Sequence, residues 1–322
     1  MFSFIIIGRN EGWRLTKCIQ STFDTIKNNN LEKYEIIYID SRSTDDSVSR
    51  AKSFNKLKVI QLTGIYNAAV ARNVGVKESS GDVLFFIDAD MELQLDFLKY
   101  VYNKNKGLIY PFVSGQLKNF NYDENDNFLY SSWQYNKVIK SDIYDTTTGG
   151  IFIIQRSLWE KIGGMDNRFR RGQDLELALR LAQKGTKILR KKEIIAYHHT
   201  ISYTHHTRIW KTIFSGDISY SNSFLFRKHI FNPFIFPKIL KQYYTLLSLL
   251  SFLGISFIFK NYFFLLLYFI VVVIKTKPPN KSNIGRKVEL YTYYIVRDLT
   301  FIYFLCIPLK KITSKGIHYK II

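Results

Sequence analysis

The sequence predicts a doubly wound, mostly parallel α/β sheet, followed by a hydrophobic and basic helical region. Short apolar runs alternate with segments of helical spacing along the first third of the chain. Polar residues follow directly after those runs, and longer apolar runs with lysine at their ends lie in the last third. Since strands that alternate with helices form parallel sheets, ligands are expected beyond the carboxyl ends of the strands.

The first predicted strand is residues 2–7, FSFIII, a continuous apolar run that ends in Gly8. Such a run is typical of a strand buried on both faces of a parallel sheet. The same alternation continues along the chain. It predicts strands at 34–39, 58–62 and 83–87, and helices from Leu15, from Ser43 or Thr44 to Phe54, and over 68–79.

The segment 118–145 is polar and aromatic without a clear period, so no element is predicted there. Residues 151–154 predict another strand, and a helix is expected from Ser157. A further helix is expected over 174–184, with Gly185 as its C-terminal cap.

The formal net charge is +20 over 322 residues, and most of it lies in the C-terminal third. Residues 206–322 hold 17 Lys and Arg but only 3 Asp and Glu. The same region contains the longest apolar runs, 246–259 and 262–274. Because positive charge beside apolar runs is typical of membrane contact, we expect a membrane surface as partner and no nucleic acid. A bias toward lysine codons is the alternative.

Lysines stand on both sides of the two apolar runs, so a hairpin over 243–275 that returns to the cytoplasmic side is expected. A third apolar stretch, 291–309, carries Arg297 and Asp298, which are costly in a lipid-exposed span. An interfacial amphipathic helix fits this stretch better. The alternative is that all three are buried helices of a second soluble domain. Because the first strand starts at residue 2, no signal peptide is expected, and the site should face the cytoplasm.

Two carboxylates, Asp88 and Asp90, follow the fourth predicted strand directly. Carboxylates one residue apart at a strand end can hold a hard divalent cation and leave positions open for phosphate oxygens. Asp40 ends the second strand, where it could accept from ribose hydroxyls or a base N–H. Arg72 could reach a phosphate and Asn73 could position the metal loop, unless both lie on a solvated helix face.

Five motifs occur in the order IIIGRNEG, YIDSRSTDDS, AAVARNVG, FFIDADM and GGMDNRFRRGQDLELALRL. Their order and spacing resemble family 2 glycosyltransferases with the GT-A fold, over about two-thirds of the chain. The resemblance implies that a nucleoside binds at Asn10, Glu11 and Asp40, and a diphosphate at Arg72. It further implies Mg²⁺ or Mn²⁺ at Asp88 and Asp90, a donor sugar beside Gly149 and Gly150, and Asp174 as general base.

Asp174 also suits the base role on chemical grounds. Inversion needs a base opposite the leaving group, to take the proton of the attacking acceptor hydroxyl. A carboxylate in the first turn of a helix would be exposed, although such acids also simply complement the helix dipole. The family usually has Glu-Asp where this chain has Gln173-Asp174, which puts support of the base in doubt. Glu176 would partly replace the missing carboxylate.

Two histidines, His198 and His199, end a predicted strand, EIIAYHH. By resemblance, a histidine here is the third metal ligand, and His198 is favoured. Adjacent histidines are also often solvated, and His205 and His206 lie nearby. Structural zinc is not expected, because no cysteine is close to these histidines in the sequence.

By resemblance, the chain is an inverting transferase that moves one sugar from a nucleoside-diphosphate donor to a lipid-linked or other glycan acceptor. The implied setting is bacterial surface polysaccharide biosynthesis at the cytoplasmic face of the membrane. Polymerising relatives usually carry Q-x-x-R-W, whereas HHTRIW has its Arg and Trp wrongly spaced. We expect a catalytic domain at 1–207, with donor binding in 1–115 and the acceptor and base region in 116–207, and a helical membrane-associated region at 208–322.

Two other functions stay open. A nucleotidyltransferase would also use a metal and an α/β sheet, but GRNEGWR is a poor phosphate-binding loop. A catalytically inactive homologue could act as a membrane scaffold or an anion-binding module. The joint presence of Asp88, Asp90 and Asp174 argues against this second alternative.

Overall fold

A computed structural model of the chain describes residues 1–134, 137–202, 215–276, 284–307 and 316–322. The backbone falls into two compact units. Unit 1 comprises residues 1–169, 173–202 and 311–322, and unit 2 comprises residues 170–172 and 203–310. The predicted boundary between 207 and 208 lies outside the described residues.

Unit 1 is an α/β domain whose first half follows the predicted alternation. Its strands are Phe2–Gly8 (β1), Tyr34–Asp40 (β2), Leu57–Leu62 (β3), Val83–Asp88 (β4), Met91–Leu93 (β5), Tyr102–Asn103 (β6), Gly107–Leu108 (β7), Phe112–Tyr122 (β8), Phe128–Trp133 (β9), Ile143–Asp145 (β10), Phe152–Gln155 (β11), Ile188–Ile201 (β12) and Tyr319–Ile321 (β13). Its helices are Trp13–Asn28 (α1), Ser47–Lys52 (α2), Ala68–Lys77 (α3), Arg156–Ile162 (α4) and Gln173–Gln183 (α5).

The main sheet has the strand order β10-β12-β8-β11-β4-β1-β2-β3-β13. Its centre, β3-β2-β1-β4, is parallel as predicted. Beyond β4 the directions change, because β11 runs antiparallel to both β4 and β8, while β12 runs parallel to β8. The sheet is therefore mixed, and the expectation of a mostly parallel sheet is wrong outside the four central strands.

Burial on both faces explains the apolar run at the start of the chain. Phe4 and Ile6 of β1 pack into one hydrophobic cluster. Ile5 and Ile7 pack into a second cluster. Successive side chains of a strand point to opposite faces, so a strand covered on both faces has to be apolar throughout. The interpretation of FSFIII as such a strand is confirmed.

Two local predictions differ from the structure. The helix α2 begins at Ser47 and not at Ser43 or Thr44, because those two residues bind Asn10 instead of capping the helix. The segment 118–145, for which no element was predicted, contains β9, β10 and the end of β8. Its mixture of aromatic and polar residues belongs to strands that find their partners through the sheet, and no local period reveals them.

The C-terminal strand β13 was also not predicted. It pairs antiparallel with β3, with Tyr319 opposite Leu62 and Ile321 opposite Ile60. The Tyr319 hydroxyl donates to Glu78 Oε1 over 2.9 Å. The last residues of the chain therefore belong to the sheet of unit 1.

Unit 2 is helical in its described part. Its helices are Asp217–Lys228 (α6), Ile235–Ile258 (α7), Leu265–Thr276 (α8) and Ile284–Cys306 (α9). α7 and α8 pack against each other as a hairpin, and α7 is kinked at Tyr243. Over the described ranges, no helix combines the length and the apolar character needed to cross a membrane.

Arg297 and Asp298 are buried among the helices of unit 2. Arg297 Nη2 lies 2.6 Å from Asp298 Oδ1 and donates to Thr245 Oγ1 of α7 over 2.7 Å. The Tyr268 hydroxyl of α8 donates to Asp298 Oδ2 over 3.1 Å. The charged pair is thus satisfied inside the protein and ties α9 to both α7 and α8. An interfacial helix was expected because Arg297 and Asp298 would be costly in a lipid-exposed span. That argument does not apply to a pair that is buried inside the protein.

We predict opposite effects for alanine at two helical glycines. A Cβ at Gly75 in α3 would stand 2.4 Å from Ile5 Cγ2 and 2.9 Å from Ile39 Cδ1. Gly75→Ala should therefore lower the free energy of unfolding by about 1–3 kcal/mol. A Cβ at Gly254 in α7 would meet no described atom within 4 Å, and Gly254→Ala should raise stability by about 0.5–1 kcal/mol. Thermal unfolding measures both, and a Gly75→Ala variant as stable as the native chain would contradict this packing.

Candidate active site

The candidate site lies where the strands β1, β2 and β4 end. In the sheet register Asp40 pairs with Gly8, and Asp88 pairs with Ile7. The carboxyl ends of these strands therefore lie side by side, where ligands bind in sheets of this kind. Asp90 follows β4 after a single residue, so the two predicted metal carboxylates share this edge.

Arg72 reaches Asp88 from α3 and is almost fully buried. Its Nη2 donates to Asp88 Oδ1 over 2.5 Å and to the Gly150 carbonyl over 3.0 Å. Burial raises the pKa of Asp88 to about 6, although the positive charge of Arg72 opposes this shift. Arg72 was predicted to bind a diphosphate, and in this structure its guanidinium is the counter-ion of Asp88.

Two glycines, Gly149 and Gly150, allow the chain to pass beside Asp88. Both have a left-handed backbone, with φ of 78° and 87°. A Cβ on Gly150 would lie 2.4 Å from Asp88 Oδ2, and one on Gly149 would lie 2.6 Å from Gln134 Nε2. A side chain at position 150 would therefore displace the Asp88 carboxylate.

Asp90 is joined to His198, the histidine favoured as third metal ligand. His198 Nε2 lies 3.0 Å from Asp90 Oδ2, and its Nδ1 lies 3.0 Å from Asn119 Oδ1. Burial would raise the pKa of Asp90, but the charge and hydrogen bond of His198 outweigh this and lower it. Asp90 Oδ1 is buried and has no hydrogen-bond partner among the described residues. A buried oxygen without a partner is open to a ligand.

Glu11 adds a third carboxyl group beside Asp88 and Asp90. Burial and the charge of Asp90 raise the pKa of Glu11 to about 9, against the opposing effect of Arg14. Carboxyl groups crowded in this way resist being ionised together. A cation bound at this edge of the sheet would oppose that effect, because a nearby positive charge favours the ionised form of a carboxyl group.

No group of three or more His, Cys, Asp or Glu side chains in the described part of the chain is arranged to hold a metal alone. The residues nevertheless fit a cation that takes its remaining ligands from a bound molecule. Asp88 and Asp90 offer hard oxygen ligands, which Mg²⁺ and Mn²⁺ prefer, and the unpartnered Asp90 oxygen is one of them. Asp88 and Asp90 are the residues that would hold the ion, whereas both ring nitrogens of His198 lie within hydrogen-bond distance of protein oxygens, those of Asp90 and Asn119.

Asp174 stands in the first turn of α5. Thr148 Oγ1 donates to Asp174 Oδ2 over 3.4 Å, and Thr148 directly precedes Gly149 and Gly150. The charge of Asp174 also contributes to the raised pKa of Asp88. The structure therefore brings the predicted base to the same region as the predicted metal carboxylates.

The neighbours of Asp174 on α5 give it no second carboxylate. Gln173 is 8% exposed, and its Oε1 has no hydrogen-bond partner among the described residues. Glu176 is buried, and its two oxygens accept from Arg180 at 2.9 and 2.8 Å. Glu176 was expected to replace the missing Glu in part, and in the structure its carboxylate is paired with Arg180.

Asp40 and Asn10, both predicted at the nucleoside, are engaged within the protein. Asp40 has no exposed surface and accepts from the Tyr38 hydroxyl, the Ser43 N–H and the Gln61 amide at 3.0–3.2 Å. Asn10 Oδ1 accepts a backbone N–H of the loop after β2 over 2.7 Å. Both side chains therefore shape the loop that a nucleoside would meet.

His199 is directed into an aromatic cluster. Its Nδ1 lies 2.9 Å from the Tyr122 hydroxyl and its Nε2 lies 2.7 Å from Glu92 Oε2. Its ring also packs edge-on against Trp13, and burial lowers its pKa. Of the two histidine side chains, only that of His198 contacts the Asp90 carboxylate, whereas His199 donates its backbone N–H to the Asp90 carbonyl over 2.8 Å. His205, His206 and the rest of HHTRIW lie outside the described residues.

Asn119 and Thr148 are site residues that the sequence did not reveal. Asn119 lies opposite His198 in the β8-β12 ladder, within the segment that has no clear period. For Thr148, the two following glycines were the only signal. Asn73, expected to position the metal loop, donates instead to the Met165 carbonyl over 2.8 Å and so fixes the loop before α5.

Comparison with known families decides what kind of protein carries this site. The model of glycosyl transferase family 2 matches residues 3–163, half of the chain. The chain belongs to glycosyl transferase family 2. A second model, the N-terminal domain of galactosyltransferase, matches residues 133–222 of this glycosyltransferase. The resemblance drawn from the motifs is thereby confirmed, and with it the prediction of a glycosyltransferase enzyme.

Two relatives of this glycosyltransferase are archaeal. Glycosyltransferase AglE of Haloferax volcanii is 23% identical over 207 residues, which are 61% of this chain and 66% of AglE, just under two thirds of it. The second is the dolichyl N-acetyl-alpha-D-glucosaminyl phosphate 3-beta-D-2,3-diacetamido-2,3-dideoxy-beta-D-glucuronosyltransferase of Methanococcus voltae. It is 25% identical over 264 residues, 73% of this chain and 77% of that protein.

A solved structure shares the fold. The mannosyltransferase PcManGT from Pyrobaculum calidifontis, in complex with GDP-Man and Mn²⁺, aligns with a TM-score of 0.57 at 16% identity. The alignment covers 94% of this chain and 87% of that one. At this identity the likeness concerns the fold alone, a mixed α/β sheet of the GT-A glycosyltransferase type.

We predict that Gly150→Ala disables this glycosyltransferase and that Gly163→Ala does not. Both glycines have a left-handed backbone, with φ of 87° and 79°, so both substitutions bring the same kind of strain. Only the Cβ at 150 collides, with Asp88, since one at 163 meets no described atom within 4 Å. A shift of about 1 Å can cost about 100-fold in rate, so nucleotide release from a sugar donor should fall at least tenfold in Gly150→Ala alone. Equal loss in both variants would contradict the role given to Gly150.

Proposed function

We propose that this chain is an inverting glycosyltransferase that moves one sugar from a nucleoside-diphosphate donor to a lipid-linked glycan acceptor. The observation that carries the proposal is the grouping of Asp88, Asp90 and Asp174. The first two follow the end of β4, and the third begins α5. The segment 148–150 connects them, because Thr148 binds Asp174 while Gly150 lies against Asp88.

The donor diphosphate would bind at Asp88 and Asp90 with Mg²⁺ or Mn²⁺. A bound divalent cation would neutralise the negative charge that develops on the diphosphate as the anomeric bond breaks. The protein's own part is to fix the two carboxylates. Arg72 holds Asp88, and His198 holds Asp90.

Asp174 would accept the proton of the acceptor hydroxyl while that oxygen attacks the anomeric carbon. The attack comes from the face opposite the diphosphate, so the configuration at this carbon is inverted. Thr148 orients the carboxylate by its hydrogen bond. Gln173 cannot assist as a second base, because an amide does not take up a proton at neutral pH.

The acceptor and donor classes find support among the similar proteins. The name of the Methanococcus voltae relative describes transfer to a dolichyl-linked sugar phosphate. The Pyrobaculum calidifontis structure holds GDP-Man and Mn²⁺. For this chain we infer a nucleotide-sugar donor, a divalent metal and a lipid-linked acceptor, with a role in assembling a cell-surface polysaccharide.

A donor panel tests the proposed function. The full chain is incubated with UDP-, GDP- and dTDP-sugars, with Mn²⁺, with Mg²⁺ or with a chelator. Nucleoside diphosphate should be released from one of these donors, faster with metal, and added membranes should yield a product one sugar heavier by mass spectrometry. Release of sugar 1-phosphate, with the nucleoside monophosphate transferred to another group, would point to a nucleotidyltransferase. No turnover of any donor would favour an inactive scaffold or anion-binding module.

The role of Asp174 has its own prediction. Because a positioned base contributes about 10²–10⁴-fold, Asp174→Asn should lower the transfer rate by at least about 100-fold. Donor affinity, measured by calorimetry, should be unchanged. Asp217→Asn is the matched control, since Asp217 also lies in the first turn of a helix and shares the dipole effect. If both variants lose activity equally, or Asp174→Asn keeps full activity, Asp174 is not the base.

A further inference from the structure

The turn between α7 and α8 carries an exposed apolar patch. Phe257, Ile258, Phe259, Tyr262 and Phe263, together the hairpin tip, have between 67% and 83% of their surface exposed. Single exposed apolar residues are ordinary on a protein surface. Five large ones at one turn form a contiguous patch, which marks a site of interaction.

The two arms of the hairpin continue this apolar surface. Along them, exposed aliphatic and aromatic side chains recur at helical spacing: Leu247, Leu250, Leu253, Leu266, Phe269, Ile270, Val273 and Ile274. The opposite side of the hairpin packs against α9, because Tyr291, Tyr294 and Ile295 of α9 lie against a buried cluster formed by Leu249 of α7 with Tyr268 and Val272 of α8. The hairpin therefore has one buried and one outward apolar face, on a fixed support.

The charged residues of the hairpin and its flanking segments are all positive, and Asp298 of α9, which packs against α8, is paired with Arg297. Residues 218–288 contain no Asp or Glu, and Lys260 in the tip is the single charged residue of 242–274. At the other end, Lys275 Nζ lies 4.1 Å from the Tyr244 ring centre and 3.4 Å from the Lys241 carbonyl oxygen. Lysine and tyrosine side chains are favoured at the headgroup level of a bilayer, where anionic lipids supply negative charge. The hairpin has both residue types at both ends of its apolar surface.

We propose that the α7-α8 hairpin lies in the plane of an anionic membrane surface, with its tip and outward face among the acyl chains. Helices bound in this way are buried about 5–10 Å into the boundary between headgroups and acyl chains. Lys241, Lys260 and Lys275 then reach the lipid phosphates from the two ends of the hairpin. The partner is one leaflet of a lipid bilayer. Its acyl chains can bury the apolar face, and its anionic headgroups can pair with the lysines.

Vesicle sedimentation with the full chain tests this proposal. The native chain should bind vesicles of phosphatidylcholine mixed with phosphatidylglycerol, and bind phosphatidylcholine alone more weakly. Because three Phe side chains would no longer be buried among acyl chains, the triple variant Phe257→Ser, Phe259→Ser, Phe263→Ser should bind at least about 100-fold more weakly. The matched control is Phe231→Ser, because Phe231 is 92% exposed but lies outside the hairpin. Circular dichroism should show native helix content in both variants.

Insertion is distinguished from surface adsorption by fluorescence. A Phe259→Trp variant should be quenched by brominated phosphatidylcholine beyond the level of the native chain. Absence of this extra quenching, or equal vesicle binding by the triple variant and the native chain, would overturn the proposal. So would a lipid-free dimer that the triple variant converts to monomer while vesicle binding persists, since a second copy would then cover the tip.

Vesicle binding is measured without turnover, so it is independent of the proposed function. Loss of vesicle binding in the triple variant together with unchanged nucleotide release would be the expected result. Vesicle binding by a chain that turns over no donor would contradict the transferase proposal and leave the membrane surface standing.

Discussion

One buried guanidinium organises the candidate site. Arg72 of α3 binds the Asp88 carboxylate at the end of β4 and the carbonyl of Gly150, so that three segments distant in sequence meet on one side chain. Its planar, fixed donors hold carboxylate and carbonyl together, which a lysine ammonium would not do with the same geometry. Since Arg72 is almost fully buried, loss of the Asp88 carboxylate would leave an uncompensated charge inside the protein.

The remaining charges of the site follow from this pair. Arg72 compensates Asp88, while His198 compensates Asp90 through one oxygen and leaves the other buried without a partner among the described residues. Glu11 is crowded beside both. Carboxyl groups that serve only stability are usually paired with opposite charges. The concentration of these carboxyl groups at one edge of the sheet therefore indicates a ligand-binding function.

The central strands and the Asp88 and Asp90 pair could be predicted from the sequence, because strands buried on both faces are continuous apolar runs and the doublet follows one of them directly. The strands β8 and β9 could not, because they mix polar and aromatic residues and depend on partners far along the chain. The burial of Asp40 and the use of Glu176 by Arg180 are equally results of tertiary packing. Motif matching identifies such residues, but it does not show which of their hydrogen-bonding atoms are already used within the protein.

Calorimetric titration of UDP and GDP into the full chain, with and without Mn²⁺, tests most directly whether Asp88 and Asp90 hold a diphosphate through a metal. This account predicts that one of the nucleotides binds only in the presence of Mn²⁺, and that Asp90→Asn removes this dependence along with the binding. The exposed Asp82, changed to Asn, should leave both intact. Equal affinity with and without Mn²⁺, or metal-dependent binding that survives in Asp90→Asn, would contradict it.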